Sequence, residues 1–336
     1  MKIIHKFVVK DIYINTSNAI TFELQLVNEK EFIFIPGQFI VLLIKIGDKM
    51  YRRSYSISSI PSLIHKSITI TIKVLEKGVV SNYLFNNIKK GSLIDAEGPF
   101  GDFVLDSNLQ VENYFFWAAG SGITPIYSII NYIVNSNFKS NIYLLYSVKG
   151  KEDIIFKNEL EKLSEKKLIN LFYFSNNFIS DSSYPKINID LLRRLTINYS
   201  SPLNYSSINY ICGPSNYKSL VQSFLLEVNY DSNIKFESFS IKSPNPDVLP
   251  LLIDSNIIIK SFRKNLEIPC KQGESILESL INSQYNIDYS CMTGSCGLCR
   301  MTLYEGSVID QNSNVYNNTD ILCCNVFPIT NKVKLF

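Results

Sequence analysis

Residues 291–300 read Cys-Met-Thr-Gly-Ser-Cys-Gly-Leu-Cys-Arg, and residues 321–328 read Ile-Leu-Cys-Cys-Asn-Val-Phe-Pro. Cys291, Cys296 and Cys299 thus stand at C-x4-C-x2-C spacing, with Cys323 and Cys324 further along the chain. Three thiolates held that close must wrap around something that neutralises them. This spacing, completed by a distant fourth thiolate, is that of a [2Fe–2S] site. Gly294 and Gly297 fall between the ligands, where backbone must approach sulfur closely and positive φ is needed. The N–H groups around them are expected to donate to cluster sulfurs and tune the potential. Zinc sites favour paired C-x2–4-C knuckles, and only one short pair exists here. A disulfide framework suits a short secreted chain. On a strand, adjacent side chains face opposite ways, so only one of Cys323 and Cys324 can point at the iron.

The stretch resembles plant-type ferredoxins, in which the last ligand is followed by three residues and a proline. Cys324-Asn-Val-Phe-Pro328 fits that pattern, so Cys324 is the expected fourth ligand, with Cys323 and Cys270 outside the set.

At 336 residues the chain is too long for a ferredoxin alone and long enough for two or three domains. A hydrophobic content of 46% supports ordinary packed cores. A net charge of +3 is too small to argue for nucleic acid or a membrane surface as partner. Seven cysteines, an odd count, argue against full disulfide pairing. Met1-Lys-Ile-Ile-His-Lys-Phe7 has no apolar core flanked by a cleavage site, so no signal peptide is read and a reducing, cytoplasmic setting is expected. With only four alanines in an Ile-, Asn- and Lys-rich chain, helix propensity is blurred and helix boundaries are loose.

Residues 1–106 read as all-β. Phe22-Glu-Leu-Gln-Leu26 and Ser67-Ile-Thr-Ile-Thr-Ile-Lys-Val74 alternate with period two, and Pro36-Gly37 and Gly47-Asp48 mark turns. Short strands at this spacing predict a small barrel or sandwich. Residues 107–240 change character. Tyr114-Phe-Phe-Trp-Ala-Ala119 is a continuous apolar run of the kind that buried parallel strands carry, and it leads through Gly120-Ser-Gly-Ile-Thr-Pro125 into a helix over 126–134. The glycines and proline break this apolar segment into halves too short to cross a bilayer. Strands over 141–146, 169–174 and 208–212 alternate with helices over 153–163 and 217–226, which predicts α/β with a parallel sheet. Residues 241–252 carry three prolines and no periodicity, and read as a partly stiff linker. Residues 253–336 hold two strands, a helix over 275–283 and the cysteine loop. His5 and His65 have no partner motif and receive no role.

Arg53-Ser-Tyr-Ser56 at the end of a barrel strand means little alone. Together with Gly78-Val-Val-Ser81 before a helix and Glu97-Gly-Pro-Phe-Gly-Asp-Phe103, it resembles the flavin signature of the ferredoxin–NADP reductase family. The resemblance implies FAD rather than FMN. It implies that Arg53 pairs with phosphate through its planar fork, that Tyr55 lies against the flavin ring and that Ser56 hydrogen-bonds near the reactive nitrogen. Ser54, Lys73, Val80 and Phe239 are further cofactor-binding residues that the resemblance implies, and the N–H groups after Gly78, to Ser81, cradle phosphate at a helix N-terminus.

Gly120-Ser-Gly122 lacks the third glycine of G-x-G-x-x-G, and its bland reading is a tight turn. A glycine turn after the first strand of a parallel sheet is also where a pyrophosphate binds. In the family this segment faces the dinucleotide, with Thr124 and Pro125 near the nicotinamide. Cys212-Gly213-Pro214 resembles the family's segment beside that ring, although a cysteine alone is more often a core residue. Glu237-Ser-Phe239 resembles the acid and aromatic that end the nucleotide domain. Tyr55, Ser56, Cys212 and Glu237 are the implied catalytic set.

The whole chain resembles the hybrid reductases with flavin, nucleotide and C-terminal ferredoxin domains in that order, such as the reductases of phenylacetyl-CoA epoxidase systems and their relatives. The implied fold is a Greek-key antiparallel β-barrel, a Rossmann-like α/β domain and a β-grasp ferredoxin domain. The implied work is transfer of hydride from NAD(P)H to flavin, then of single electrons through the cluster to a redox protein, an oxygenase component among the candidates. Two other readings stand beside it: a general NAD(P)H–acceptor reductase with several partners, and a non-catalytic, cluster-bearing redox sensor. Three separate cofactor motifs in one chain weigh against the last.

Overall fold

The structure, a computed structural model, describes residues 4–27, 31–61, 67–106, 111–136, 138–175, 184–198, 207–228, 233–239, 248–260, 265–289, 292, 294, 297–310 and 313–336, with backbone alone for 194–198. The chain divides into two compact units, Met1–Phe239 and Ser240–Phe336.

The first unit begins with β1 (Ile4–Thr16), β2 (Ala19–Leu26), β3 (Phe39–Ile46), β4 (Lys49–Ser56), β5 (Ser67–Lys73), α1 (Val79–Asn87) and β6 (Leu93–Phe100). The strands form one antiparallel sheet in the order β4-β3-β6-β1-β2-β5. An antiparallel bridge between Ile57 and Ile70 joins its two ends and closes the barrel. The connections from β2 to β3 and from β5 to β6 each jump over strands, which is Greek-key wiring. The period-two pattern fills the interior: Phe22, Leu24 and Leu26 on β2 meet Ile68, Ile70 and Ile72 on β5 in one buried cluster.

The same unit continues with β7 (Asn113–Ala119), α2 (Ile123–Asn135), β8 (Asn141–Val148), α3 (Lys157–Glu165), β9 (Asn170–Ser175), α4 (Ile189–Asn198), β10 (Ser207–Cys212), α5 (Ser215–Glu227) and β11 (Ile234–Glu237). All five strands are parallel, in the order β11-β10-β7-β8-β9. Every residue of β7 is buried, as its unbroken apolar run requires of a strand covered on both faces. The strand order reverses between β7 and β10, so the crevice beyond their carboxyl ends is the switch point where doubly wound sheets bind ligands. The sequence reading holds no helix between β9 and β10. Asn188 supplies its start, accepting the Leu191 N–H at 2.8 Å, and Asp190 pairs with Arg193 at 2.8 Å one turn on.

The second unit holds β12 (Ser255–Ile259), β13 (Leu266–Cys270), α6 (Ile276–Asn282), β14 (Arg300–Glu305), β15 (Val308–Asp310), β16 (Val315–Tyr316), β17 (Thr319–Leu322), β18 (Val326–Pro328) and β19 (Lys332–Leu335). A mixed sheet runs β13-β12-β19-β14-β17, with β12 and β19 parallel, and β16-β15-β18 form a small second sheet. A capping box between Ser275 and Glu278 starts α6, whose Ile276, Leu277 and Leu280 are buried against the sheet. A helix crossing a mixed sheet in this way is the β-grasp arrangement. Part of the stretch expected to be linker is folded here. Val248 and Leu252 pack with Ile309 and Phe327, because Val248-Leu-Pro-Leu-Leu252 offers apolar side chains that a solvated spacer would not. Among the described residues no helix is long and apolar enough to cross a membrane.

Candidate functional site

A cavity of about 410 Å³ opens on the barrel, walled by the end of β4, by β5, by the start of α1 and by the turn after β7. Period-two geometry on β4 sends Tyr51, Arg53 and Tyr55 one way and Ser54 and Ser56 the other, and all five reach the cavity wall. Tyr55 is largely buried, and burial pushes its phenol well above the usual range, so the ring is neutral and serves as an apolar face. Arg53 is exposed, its guanidinium bonded to the Arg52 carbonyl at 2.7 Å and 5.9 Å from the Tyr51 ring. One residue away, Arg52 forms an ion pair with buried Glu97, which ties β4 across β3 to β6. The hydroxyls of Ser54 and Ser56 are buried and have no hydrogen-bond partner among the described residues. An unpaired buried hydroxyl is costly, and two of them lie in the wall of this one cavity.

The lower wall is a helix start. Gly78 is the N-cap of α1, and a Cβ there would overlap the Ser81 hydroxyl and press on Leu75. Ser81 Oγ accepts the Leu75 N–H at 3.2 Å and donates to the Gly78 carbonyl at 3.3 Å, which folds 75–81 into a tight loop. Val80 anchors it in the barrel core. The N–H groups of the first turn have no intrahelical acceptor and face the cavity end of the helix, a ready anion site.

The far wall comes from the parallel sheet. Ser121 and Thr124 line the cavity, and Phe239 closes it from beyond β11. Gly120 takes φ +54°, which a glycine accepts freely, and its carbonyl receives the buried Tyr146 hydroxyl at 3.0 Å. Thr124 donates to the Ser121 carbonyl at 3.0 Å, and Pro125 sits in the first turn of α2, where a missing N–H costs nothing. Gly122 lies against the end of β10: a Cβ there would overlap the carbonyl of Cys212 and stand 3.1 Å from the Gly213 nitrogen. Gly213 in turn would place a Cβ 2.8 Å from that of Ala119. Pro214 caps α5. The two loops at the switch point are thus pressed backbone to backbone.

Cys212 and Glu237 are register partners on β10 and β11, both buried and outside the cavity wall. Burial, with the Glu237 charge second, pushes the Cys212 thiol well up, so it is a neutral thiol and no nucleophile. The residues missed by sequence reasoning are Tyr51, Thr71, Leu75, Lys77, Val79 and Ser121. Thr71 was recoverable: it shares the β5 face of Lys73 by simple alternation.

In the second unit, Cys291 and Cys296 lie outside the described residues. Cys299, in the turn before β14, and Cys324 are both buried. Cys324 Sγ accepts the Gly294 N–H at 3.1 Å, and Gly294 and Gly297 take φ of +80° and +72°. β17 ends at Leu322, and Cys323–Cys324 form a turn closed by Asn325 N–H to the Leu322 carbonyl at 2.9 Å. Strand alternation therefore does not apply to the two cysteines, and both, with Cys299, belong to one buried cluster. Cys323 is packed in the core, its N–H on the Cys299 carbonyl at 3.0 Å and its carbonyl on the Leu277 N–H at 2.8 Å. Burial, and secondarily Cys299, pushes its thiol up. None of the five described cysteines forms a disulfide. A sulfur that already draws a backbone N–H from a positive-φ glycine fits an iron–sulfur ligand.

Models of three known domain families match the chain in order: the oxidoreductase FAD-binding domain over 6–105, the oxidoreductase NAD-binding domain over 116–222 and the 2Fe-2S iron-sulfur cluster binding domain over 259–328. The glycine betaine monooxygenase reductase subunit of Pseudomonas aeruginosa is 27% identical over 329 residues, covering 88% of this chain and 85% of its own. A component of the Escherichia coli 1,2-phenylacetyl-CoA epoxidase is 25% identical, with 99% and 97% covered. The structure of phthalate dioxygenase reductase superposes with a TM-score of 0.66 at 19% identity, covering 98% of this chain and 97% of its own, and so has the same fold.

Proposed function

We propose that this chain, a hybrid reductase built of FAD-binding, NAD-binding and [2Fe–2S] domains in that order, is the reductase component that supplies an oxygenase partner with electrons from NAD(P)H. When bound, the flavin accepts hydride and releases electrons singly, and the cluster carries one at a time. The partner rests on relatives whose own names make one the reductase of a monooxygenase and the other a component of an epoxidase.

The protein's part is to bind, orient and exclude water. Ser54, Tyr55 and Ser56 would hold the flavin, the two serines with hydroxyls that lack a partner among the described residues. Arg53, exposed at the rim, and the first turn of α1 take the phosphates. Phe239 lines the same cavity and would help shield the group from water. Thr124 and Ser121 bring the nicotinamide side of the nucleotide site to the same wall, while Gly122 and Gly213 let the two loops meet without side chains between them. Cys212 stays protonated and Glu237 buried, so no proton relay through a thiolate is built in. Cys291, Cys296, Cys299 and Cys324 would hold the cluster, and the last sulfur accepts the Gly294 N–H. Thiolate ligands and unbonded cysteines are compatible with the cytoplasm, where we place the protein.

The observation that carries this reading is the presence in one chain of the FAD-binding, NAD-binding and 2Fe-2S domains in that order. Its test is the visible spectrum of the purified chain: flavin and cluster bands that bleach anaerobically with NADH or NADPH. A protein without flavin bands, or one that neither nucleotide bleaches, rules the reading out.

A further inference from the structure

Lys73 ends β5 on the cavity wall, and its ammonium is met by an anion from the parallel sheet. Asp153 Oδ1 lies 3.7 Å from Lys73 Nζ, with the two side chains only 17% and 16% exposed. The same carboxylate oxygen accepts the Asn18 Nδ2–H at 3.4 Å. Asn18 stands in the β1–β2 turn and is itself fixed, its carbonyl taking the Val74 N–H at 2.7 Å. Asp153 belongs to the short turn Lys151–Asp153 after β8, so two barrel residues receive it. The ammonium also lies beside the glycine turn: a Cβ on Gly120 would stand 3.9 Å from Lys73 Nζ. Lys73 therefore stands beside both an anion of the protein and the turn that takes the anion of the nucleotide.

We infer that Asp153 is a positioning residue that competes with the dinucleotide pyrophosphate for Lys73, and so sets how tightly NAD(P)H and NAD(P)+ are held. The inference rests on the dinucleotide reading of the Gly120 turn. At 3.7 Å the pair is an ion pair without a hydrogen bond, so the ammonium keeps its donors for a phosphate. A half-buried carboxylate without Lys73 would face an arriving pyrophosphate directly, and like charges repel strongly where water is largely excluded. Lys73 thus acts twice, donating to the ligand and cancelling Asp153. The loops do not depend on the pair for their placement. The Tyr146 hydroxyl donates to the Gly120 carbonyl at 3.0 Å and accepts the Ile155 N–H at 3.3 Å, joining the turns after β7 and β8 independently. A built-in competitor holds affinity down so that oxidised nucleotide leaves, a step that limits many enzymes.

The test is calorimetric titration of the full-length, oxidised holoprotein with NAD+ and NADP+, taking whichever the wild type binds more tightly. Wild type, Asp153→Asn, Lys73→Met and the double variant are compared, each with its melting temperature. Asp153→Asn should bind roughly tenfold more tightly. Lys73→Met should bind at least about tenfold more weakly, and adding Asp153→Asn to it should recover most of that loss. A purely structural role for Asp153 would not produce that rescue. Asp153→Asn binding that weakens or stays unchanged, or a double variant as weak as Lys73→Met, overturns the inference. Should Asp153→Asn not fold, Asp153→Ser is read by the same outcomes. Wild type binding neither nucleotide would instead overturn the dinucleotide reading, and this inference with it.

Discussion

Gly122→Ala is a sharp perturbation because its cost is steric alone. Gly122 has φ −61° and ψ −11°, a conformation that alanine adopts without strain. Its Cβ would nevertheless overlap the carbonyl of Cys212, a backbone atom that no side-chain rotation can move away. Restoring ordinary contact at about 3.4 Å requires roughly 1 Å of movement between the turn after β7 and the end of β10. Overpacking of this kind costs about 1–3 kcal/mol of stability. The larger effect is on the reaction, because a displacement of about 1 Å at a reacting geometry costs up to about 100-fold in rate. Gly47→Ala is the control: at φ +57°, with nothing within 4 Å of the added Cβ, it should cost about 1–2 kcal/mol from backbone strain and leave turnover alone. The assay is NADH–ferricyanide turnover together with urea unfolding of both variants. A Gly122→Ala enzyme within twofold of wild type would refute the claim that these two loops must meet backbone to backbone.

Cys324→Ser should lose or severely weaken the cluster while Cys323→Ser keeps it, since Cys324 Sγ takes the Gly294 N–H; iron content and visible spectra decide, and the reverse pattern would make Cys323 the ligand. Discrimination between nucleotides should be weak and tilted to NADH, because the place of a phosphate-reading Ser-Arg pair after β9 reads Ser175-Asn176, and Lys149 and Lys151 after β8 substitute as point charges, weaker planar partners than arginine. An NADPH preference above about 100-fold, roughly 2.7 kcal/mol, would contradict it. Cys270 is pushed up from 9.0 to about 11, by burial first and by Glu274, Glu278 and Asp254 after it. A thiol raised by folding costs nothing below its unfolded value and removes stability as pH climbs from about 9 to 11, here by up to about 2 kcal/mol. Urea midpoints of the holoprotein at pH 8.5 and 10.5 should therefore differ less in Cys270→Ala than in wild type, and an equal loss in both would show that another group is responsible.

The three-part architecture is legible because its signals are periodic or spaced. The alternation of Ser67–Lys73 declares a half-buried strand, the unbroken run Tyr114–Ala119 declares a strand covered on both faces, and C-x4-C-x2-C leaves few geometries for iron. What stayed hidden depends on contacts between distant segments. Lys73 and Asp153 are 80 positions apart and meet only because the barrel and the parallel sheet fold into one unit. The helix over Ile189–Asn198 was obscured by a composition poor in alanine, although Asn188 and the Asp190–Arg193 spacing marked it. The choice between Cys323 and Cys324 cannot rest on strand alternation, because the two lie in a turn, where that rule does not apply.

The central claim is that electrons leave through the cluster. The measurement that tests it most directly compares wild type with cluster-free Cys324→Ser, both as full-length flavoproteins, in two NADH-driven assays run side by side. Ferricyanide, which takes electrons directly from flavin, should be reduced by both at similar rates. Cytochrome c should be reduced rapidly by wild type and at less than about a tenth of that rate by the variant, a loss of roughly 1.4 kcal/mol or more on the path to a protein acceptor. Equal cytochrome c reduction by the two proteins would mean that the cluster lies off the path.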